Sequence, residues 1–93
     1  MNNPGNAPKA LGYQQITSLS SATGLTIPAG SGRALIECES QQVRWRDDGT
    51  NPTSSVGHVM SPGDILSYDA ALPVIKFIEV ASGAKLNISY YSN

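Results

Sequence analysis

An all-β domain is what this chain predicts, and three observations carry that reading. Short runs of alternating apolar and polar residues recur along the sequence, which is the period of a strand with one packed face and one wet face. Between the runs stand clusters of Gly, Pro, Asn, Asp and Ser, the residue types that turns demand. No segment sustains the 3.6-residue period of an amphipathic helix. The sum is about seven or eight short strands at the spacing of a small antiparallel β-sandwich or jelly-roll-like barrel. The spacing fits immunoglobulin-like connections equally well.

The chain opens on an arm, residues 1–13, in which Pro4, Gly5, Pro8 and Gly12 stand among Asn, Ala and Lys. Such a segment buries too little to offset its ordering entropy by itself. It is either a frayed terminus or an arm that orders on a neighbouring subunit. Asn2, Asn3, Pro4, Pro8 and Tyr13 are its candidate partner contacts. A single β domain, residues 14–93, follows.

Gln14 to Leu19 reads as the first strand, with Ile16 inward. After the turn cluster Ser20 to Thr23, Leu25 and Ile27 alternate with Thr26 as a short strand that Pro28 and Gly30 end. Arg33 to Glu39 reads as a central strand, with Ala34, Ile36 and Cys38 on one face and Leu35, Glu37 and Glu39 on the other. Ser40 and Gln41 leave room only for a tight connection, so the pattern predicts an antiparallel hairpin with Val43 to Asp47. Glu37 and Glu39 would then lie across from Arg44 and Arg46.

In that next strand Val43, Trp45 and Asp47 share one side and Arg44, Arg46 and Asp48 the other. Arg46, Asp47, Asp48, Gly49 and Thr50 form a structural turn, closed by Asx-type hydrogen bonds and by Asn51 and Pro52 beyond it. Thr53 to Met60 has little pattern, although Val56 and Met60 are placed to cover an end of the core. Ser61 to Asp64 is a turn, Ile65 to Tyr68 a strand, and Asp69 to Pro73 a loop with room for one helical turn. Val74 to Val80 is apolar on both faces, as a doubly covered strand would be. Ala81 to Ala84 closes what reads as a hairpin onto Lys85 to Tyr91, where Leu86, Ile88 and Tyr90 alternate with Asn87, Ser89 and Tyr91.

Chemistry is sparse. With 93 residues, a net charge of −1 and 14% charged residues, the chain has no basic footprint for nucleic acid. No apolar run is long enough to span a bilayer, and no secretory leader opens the sequence. Cys38 and His58 are the only residues of their kinds, so neither a disulfide within the chain nor a multi-cysteine metal site is expected. No serine lies in a nucleophile elbow. The Asp47 to Asn51 turn lacks calcium-loop spacing, and Gly30 and Gly32 lack the helix of a phosphate cradle. An enzyme is not expected, nor any cofactor. Trp45, Tyr68, Tyr90 and Tyr91 are candidates for a sugar-stacking surface, against which Trp45 reads better as a core anchor beside Val43. Tyr91, on the polar face of its strand, is the best candidate for an exposed partner contact.

The blocks VRWRDDGTNPT, PGDILSY and VIKFIEVASGAKLNISYY, taken in order, resemble a pattern in small virion-associated proteins of tailed bacteriophages. The resemblance covers about the last two-thirds of the chain. It implies a structural role, as a capsid decoration or cement protein on the outside of the head, usually a homotrimer bound to the major capsid protein. Such a protein is made in the host cytoplasm and resides in the virion. Tail, fibre or head-to-tail subunits of similar size are the alternative, with a carbohydrate- or receptor-binding module as a further one.

Overall fold

The structure, a computed structural model, describes residues 7–93. These residues form no helix and seven strands: β1 (Ala10–Ile16), β2 (Ser31–Glu39), β3 (Val43–Arg46), β4 (His58–Met60), β5 (Ile65–Tyr68), β6 (Lys76–Glu79) and β7 (Lys85–Ser92). They make two antiparallel sheets, one ordered β1-β7-β2-β5 and the other β4-β3-β6. Alternation sets the inward faces. Ala34, Ile36 and Cys38 of β2 and Leu86, Ile88 and Tyr90 of β7 are buried, and they share one apolar cluster with Val43, Met60 and Phe77 of the other sheet.

β2 is central, between β7 and β5, as its alternation predicts. The expected hairpin with β3 does not form. Glu39 is paired with Lys85 on one side of β2, while Cys38 exchanges backbone hydrogen bonds with Gly63 and Asp64 on the other. Both edges being occupied, the chain has to leave. Ser40 takes φ 76° and the Gln41 N–H donates to the Glu39 carbonyl at 3.0 Å, a three-residue γ-turn that sends Val43 into the opposite sheet. Glu37 and Glu39 therefore never face Arg44 and Arg46. Glu37 lies between Asn87 and Ile65.

The second expected hairpin fails for a similar reason. β7 buries three side chains between β1 and β2, whereas β6 pairs with β3, so the Ala81 to Ala84 turn carries the chain from one sheet to the other. β6 is also shorter than the apolar run suggests and is covered on one face. Phe77 is buried, Ile78 half-buried and Val74 exposed. Leu72 and Ile75 are buried from a single turn, in which the Ile75 N–H donates to the Ala71 carbonyl at 3.1 Å.

Three smaller expectations also change. Leu25 and Ile27 pack on the core from an irregular segment that contributes only a bridge from Thr23 to Phe77. Val56 is exposed, leaving Met60 alone at that end of the core. β1 begins at Ala10, so residues 10–13, assigned to the arm, are strand. They pair with β7 through a bulge between Ala10 and Gly12.

The Tyr90 hydroxyl donates to Gln14 Oε1 at 2.7 Å, and the same oxygen accepts from the Thr26 N–H at 3.2 Å. Burial pushes this phenol up to about 12, against about 10 in an unfolded chain. Above pH 10 the unfolded tyrosine ionises before the folded one, so stability falls between about pH 10 and about pH 12. Tyr90→Phe should cost about 1 kcal/mol at neutral pH through the lost hydrogen bond and flatten part of that alkaline fall. The Tyr68 phenol and the Cys38 thiol, both raised by burial, add to the same fall. Urea unfolding of both proteins at neutral and alkaline pH measures this; parallel pH profiles would remove Tyr90 from the effect.

Candidate functional site

Two depressions on the described surface bear on the candidate site. The first, about 430 Å³, is lined by Arg46, Asp47, Asp48, Val56, Gly57 and His58. Its charged groups are already engaged. Arg46 Nε and Nη2 donate to the two carboxylate oxygens of Asp48 at 3.0 and 2.5 Å. The Arg46 side chain holds the Asp48 carboxyl down at about 2, and the Thr50 N–H adds a long contact at 3.4 Å.

Asp47, the first residue past β3, bonds across to the other sheet. It accepts from the Tyr68 hydroxyl at 2.7 Å, and that hydroxyl accepts from the Ala71 N–H at 3.0 Å. The Arg46 to Thr50 turn thus ties the end of β3 to the end of β5 across the two sheets. Arg44 clamps the neighbouring loop through the carbonyls of Gly57 at 2.8 Å and Ser54 at 3.2 Å. His58 opens β4 and packs at a tilt against Trp45, with ring centroids 4.6 Å apart.

The aromatic residues do not gather into one platform. Tyr68 and Tyr90 are buried, and Trp45 packs against the core beside Val43 with Tyr68 edge-on at 6.2 Å. Only Tyr91, of the four stacking candidates, lies on the outer face of β7. Cys38 is inside as well. Burial pushes its thiol up, and Sγ lies 3.1 Å from the Gln41 carbonyl oxygen. Among the described residues no three His, Cys, Asp or Glu side chains converge as a metal set, and no helix is long and apolar enough to cross a membrane.

The second depression, about 340 Å³, is lined by Pro8, Arg33, Ala34, Leu35, Ser67 and Tyr91. It belongs to the outer face of the four-stranded sheet. Strand pairing lays that face out in rows. Tyr13, Ser89, Leu35 and Ser67 form one, and Gln15, Asn87, Glu37 and Ile65 form the next. Asn87 is the polar hub. Its Oδ1 accepts from the Tyr13 hydroxyl at 2.7 Å and Gln15 Nε2 at 2.9 Å, while its Nδ2 donates to Glu39 at 2.8 Å and Glu37 at 3.4 Å. These bonds fix Tyr13 upright on the sheet.

Three apolar side chains stand out of this face: Tyr13 at 65% exposure, Ile65 at 60% and Leu35 at 41%. Of the contacts anticipated from sequence, Pro8 and Tyr91 meet in the depression and Tyr13 lies on the same face; Asn2, Asn3 and Pro4 lie outside the described residues. Arg33, Leu35, Ile65 and Ser67 were not singled out. Leu35 alone carried a signal, as the apolar member of an otherwise charged strand face. No protein-family model, curated protein or solved structure matches the chain.

Proposed function

We propose that this chain is a structural protein of a tailed-bacteriophage particle, a capsid decoration protein that binds the outside of the head as an oligomer and cements the shell. In this reading its two sheets form a small jelly-roll-like sandwich, it is made in the host cytoplasm, and it resides in the virion against the major capsid protein. A tail, fibre or head-to-tail subunit would use the same surfaces at another position on the particle.

The observation behind the reading is the outer face of the four-stranded sheet. It exposes Tyr13, Leu35 and Ile65, and Pro8, where the chain enters β1, borders its depression. A neighbouring protein can therefore meet the sheet face and the segment before β1 together. Aromatic and apolar anchors set among polar groups are the composition of contact surfaces, and repetition over a lattice multiplies weak individual contacts. The resemblance of the VRWRDDGTNPT to KLNISYY region to small virion proteins points the same way.

Heads lacking the protein, mixed with the purified chain and sedimented, test the proposal. Saturable binding at a fixed number of copies per head is expected. A chain that stays in the supernatant at every concentration sinks the decoration reading.

A further inference from the structure

The outward residues of β2 run Arg33, Leu35, Glu37 and Glu39, all exposed. A cation and two anions are thus separated along one strand by an apolar residue. Arg33 has no ion-pair or hydrogen-bond partner for its side chain among the described residues, whose one salt bridge is Arg46 to Asp48. From this pattern we infer that the outer face of the four-stranded sheet is a self-association surface, and that its partner is a second copy of the chain stacked on it with β2 antiparallel.

The geometry follows from the register. A twofold axis lying along the row Tyr13, Ser89, Leu35 and Ser67 turns the second copy over and reverses its strands. Leu35 then meets Leu35 and Tyr13 meets Tyr13, while Arg33 of each copy lies over Glu37 of the other. An isologous contact repeats every pair twice, so this arrangement carries two opposite-charge pairs around an apolar centre. Stacking with β2 parallel would set Arg33 on Arg33 and Glu37 on Glu37. The serines at 67 and 89 flank Leu35 on the neighbouring strands, and their small side chains let the two faces approach. Two other charges border the face. Lys85 stands across from Glu39, at the edge away from the axis, and Asp69 follows β5 beside the Arg33 row.

Size sets the strength. Four strands spaced about 4.8 Å apart, over the length from Arg33 to Glu39, give a face on the order of 400 Å². That is about half of what each partner contributes to a standard stable interface, so the dimer should be weak and reversible. Such a contact suits subunits concentrated on a lattice, and it deepens the assembly reading above by giving the self-contact twofold symmetry in place of the threefold one that the resemblance implies.

Charge exchange tests the geometry. Sedimentation velocity of the full chain from about 1 μM to about 1 mM should show a monomer–dimer equilibrium that shifts toward monomer as salt is raised. Arg33→Glu and Glu37→Arg, each alone, should raise the dissociation constant about tenfold or more, because each sets like charges face to face. An equimolar mixture of the two variants should recover dimers, as should the double variant Arg33→Glu/Glu37→Arg, since both contacts then become attractive again. Both sites are exposed, and unchanged melting temperatures will confirm that each variant folds.

A wild-type chain that stays monomeric over the whole range, a trimer, or a dimer indifferent to both single changes would overturn the inference. So would failure of the mixture and the double variant to restore association. Head binding by a strictly monomeric chain would sink the pairing and leave the decoration reading standing. A charge-sensitive dimer that ignores heads would do the reverse.

Discussion

Phe77→Ala is expected to remove a large part of the stability of the fold at physiological temperature. Phe77 is 0% exposed and lies opposite Trp45 in the three-stranded sheet, in the cluster to which both sheets contribute. Truncating a buried phenylalanine costs about 3 to 5 kcal/mol, combining lost transfer energy with the hole left behind. Whole domains hold only about 5 to 15 kcal/mol, and a chain this short sits toward the low end. The backbone adds to the effect. Phe77 exchanges N–H and C=O bonds with Thr23 at 2.9 and 2.8 Å, so a loosened β6 also frees the segment bearing Leu25 and Ile27. Phe77→Leu, which keeps most of the volume, should cost less than about 1.5 kcal/mol. Denaturant unfolding followed by far-ultraviolet circular dichroism separates the two. A loss below 1 kcal/mol for the alanine variant would mean that Phe77 does not join the sheets through a common core.

The fold was legible wherever one strand's own alternation decided it. The buried sets Ala34, Ile36, Cys38 and Leu86, Ile88, Tyr90 follow directly from period two. Strand partners did not follow, because alternation says which face packs and is silent about which neighbour pairs. The two misread hairpins share that cause. Ser40 has no Gly or Pro to announce a sharp change of direction, yet it adopts φ 76°, and the occupied edges of β2 exist only once β5 and β7 are in place. The candidate surface divides in the same way. Pro8, Tyr13 and Tyr91 stood out locally by type and position, whereas the depression that Pro8 and Tyr91 border needs β2, β5 and β7 side by side. Arg33 acquires its meaning from Glu37 across a strand reversal, a relation that sequence spacing encodes only when the outward face is known.

Gly57→Ala is expected to be the most damaging substitution outside the core. Gly57 has φ +140°, a backbone region that side chains rarely adopt. A Cβ there would lie 3.1 Å from Arg44 Cβ, 3.1 Å from the Trp45 carbonyl oxygen and 3.3 Å from Pro52 Cβ. None of these is a flexible tip that can swing away. The loop is pinned besides. Thr53 and Val56 exchange backbone bonds at 2.9 and 3.2 Å, and the Gly57 carbonyl accepts from Arg44 at 2.8 Å. Strain of this kind costs about 1 to 3 kcal/mol, and each kcal/mol lowers the melting temperature of such a domain by about 4 to 8 °C. Gly49→Ala is the matched comparison. Gly49 also has positive φ, at +87°, but nothing lies within 4 Å of its added Cβ, so only the backbone preference is lost. The Gly57 variant should therefore melt well below the Gly49 variant, and Trp45 fluorescence should change as His58, the next residue, shifts against the indole. Equal melting temperatures would mean that the loop gives way without resistance, and that Arg44 and the β3 backbone do not hold the entry to β4.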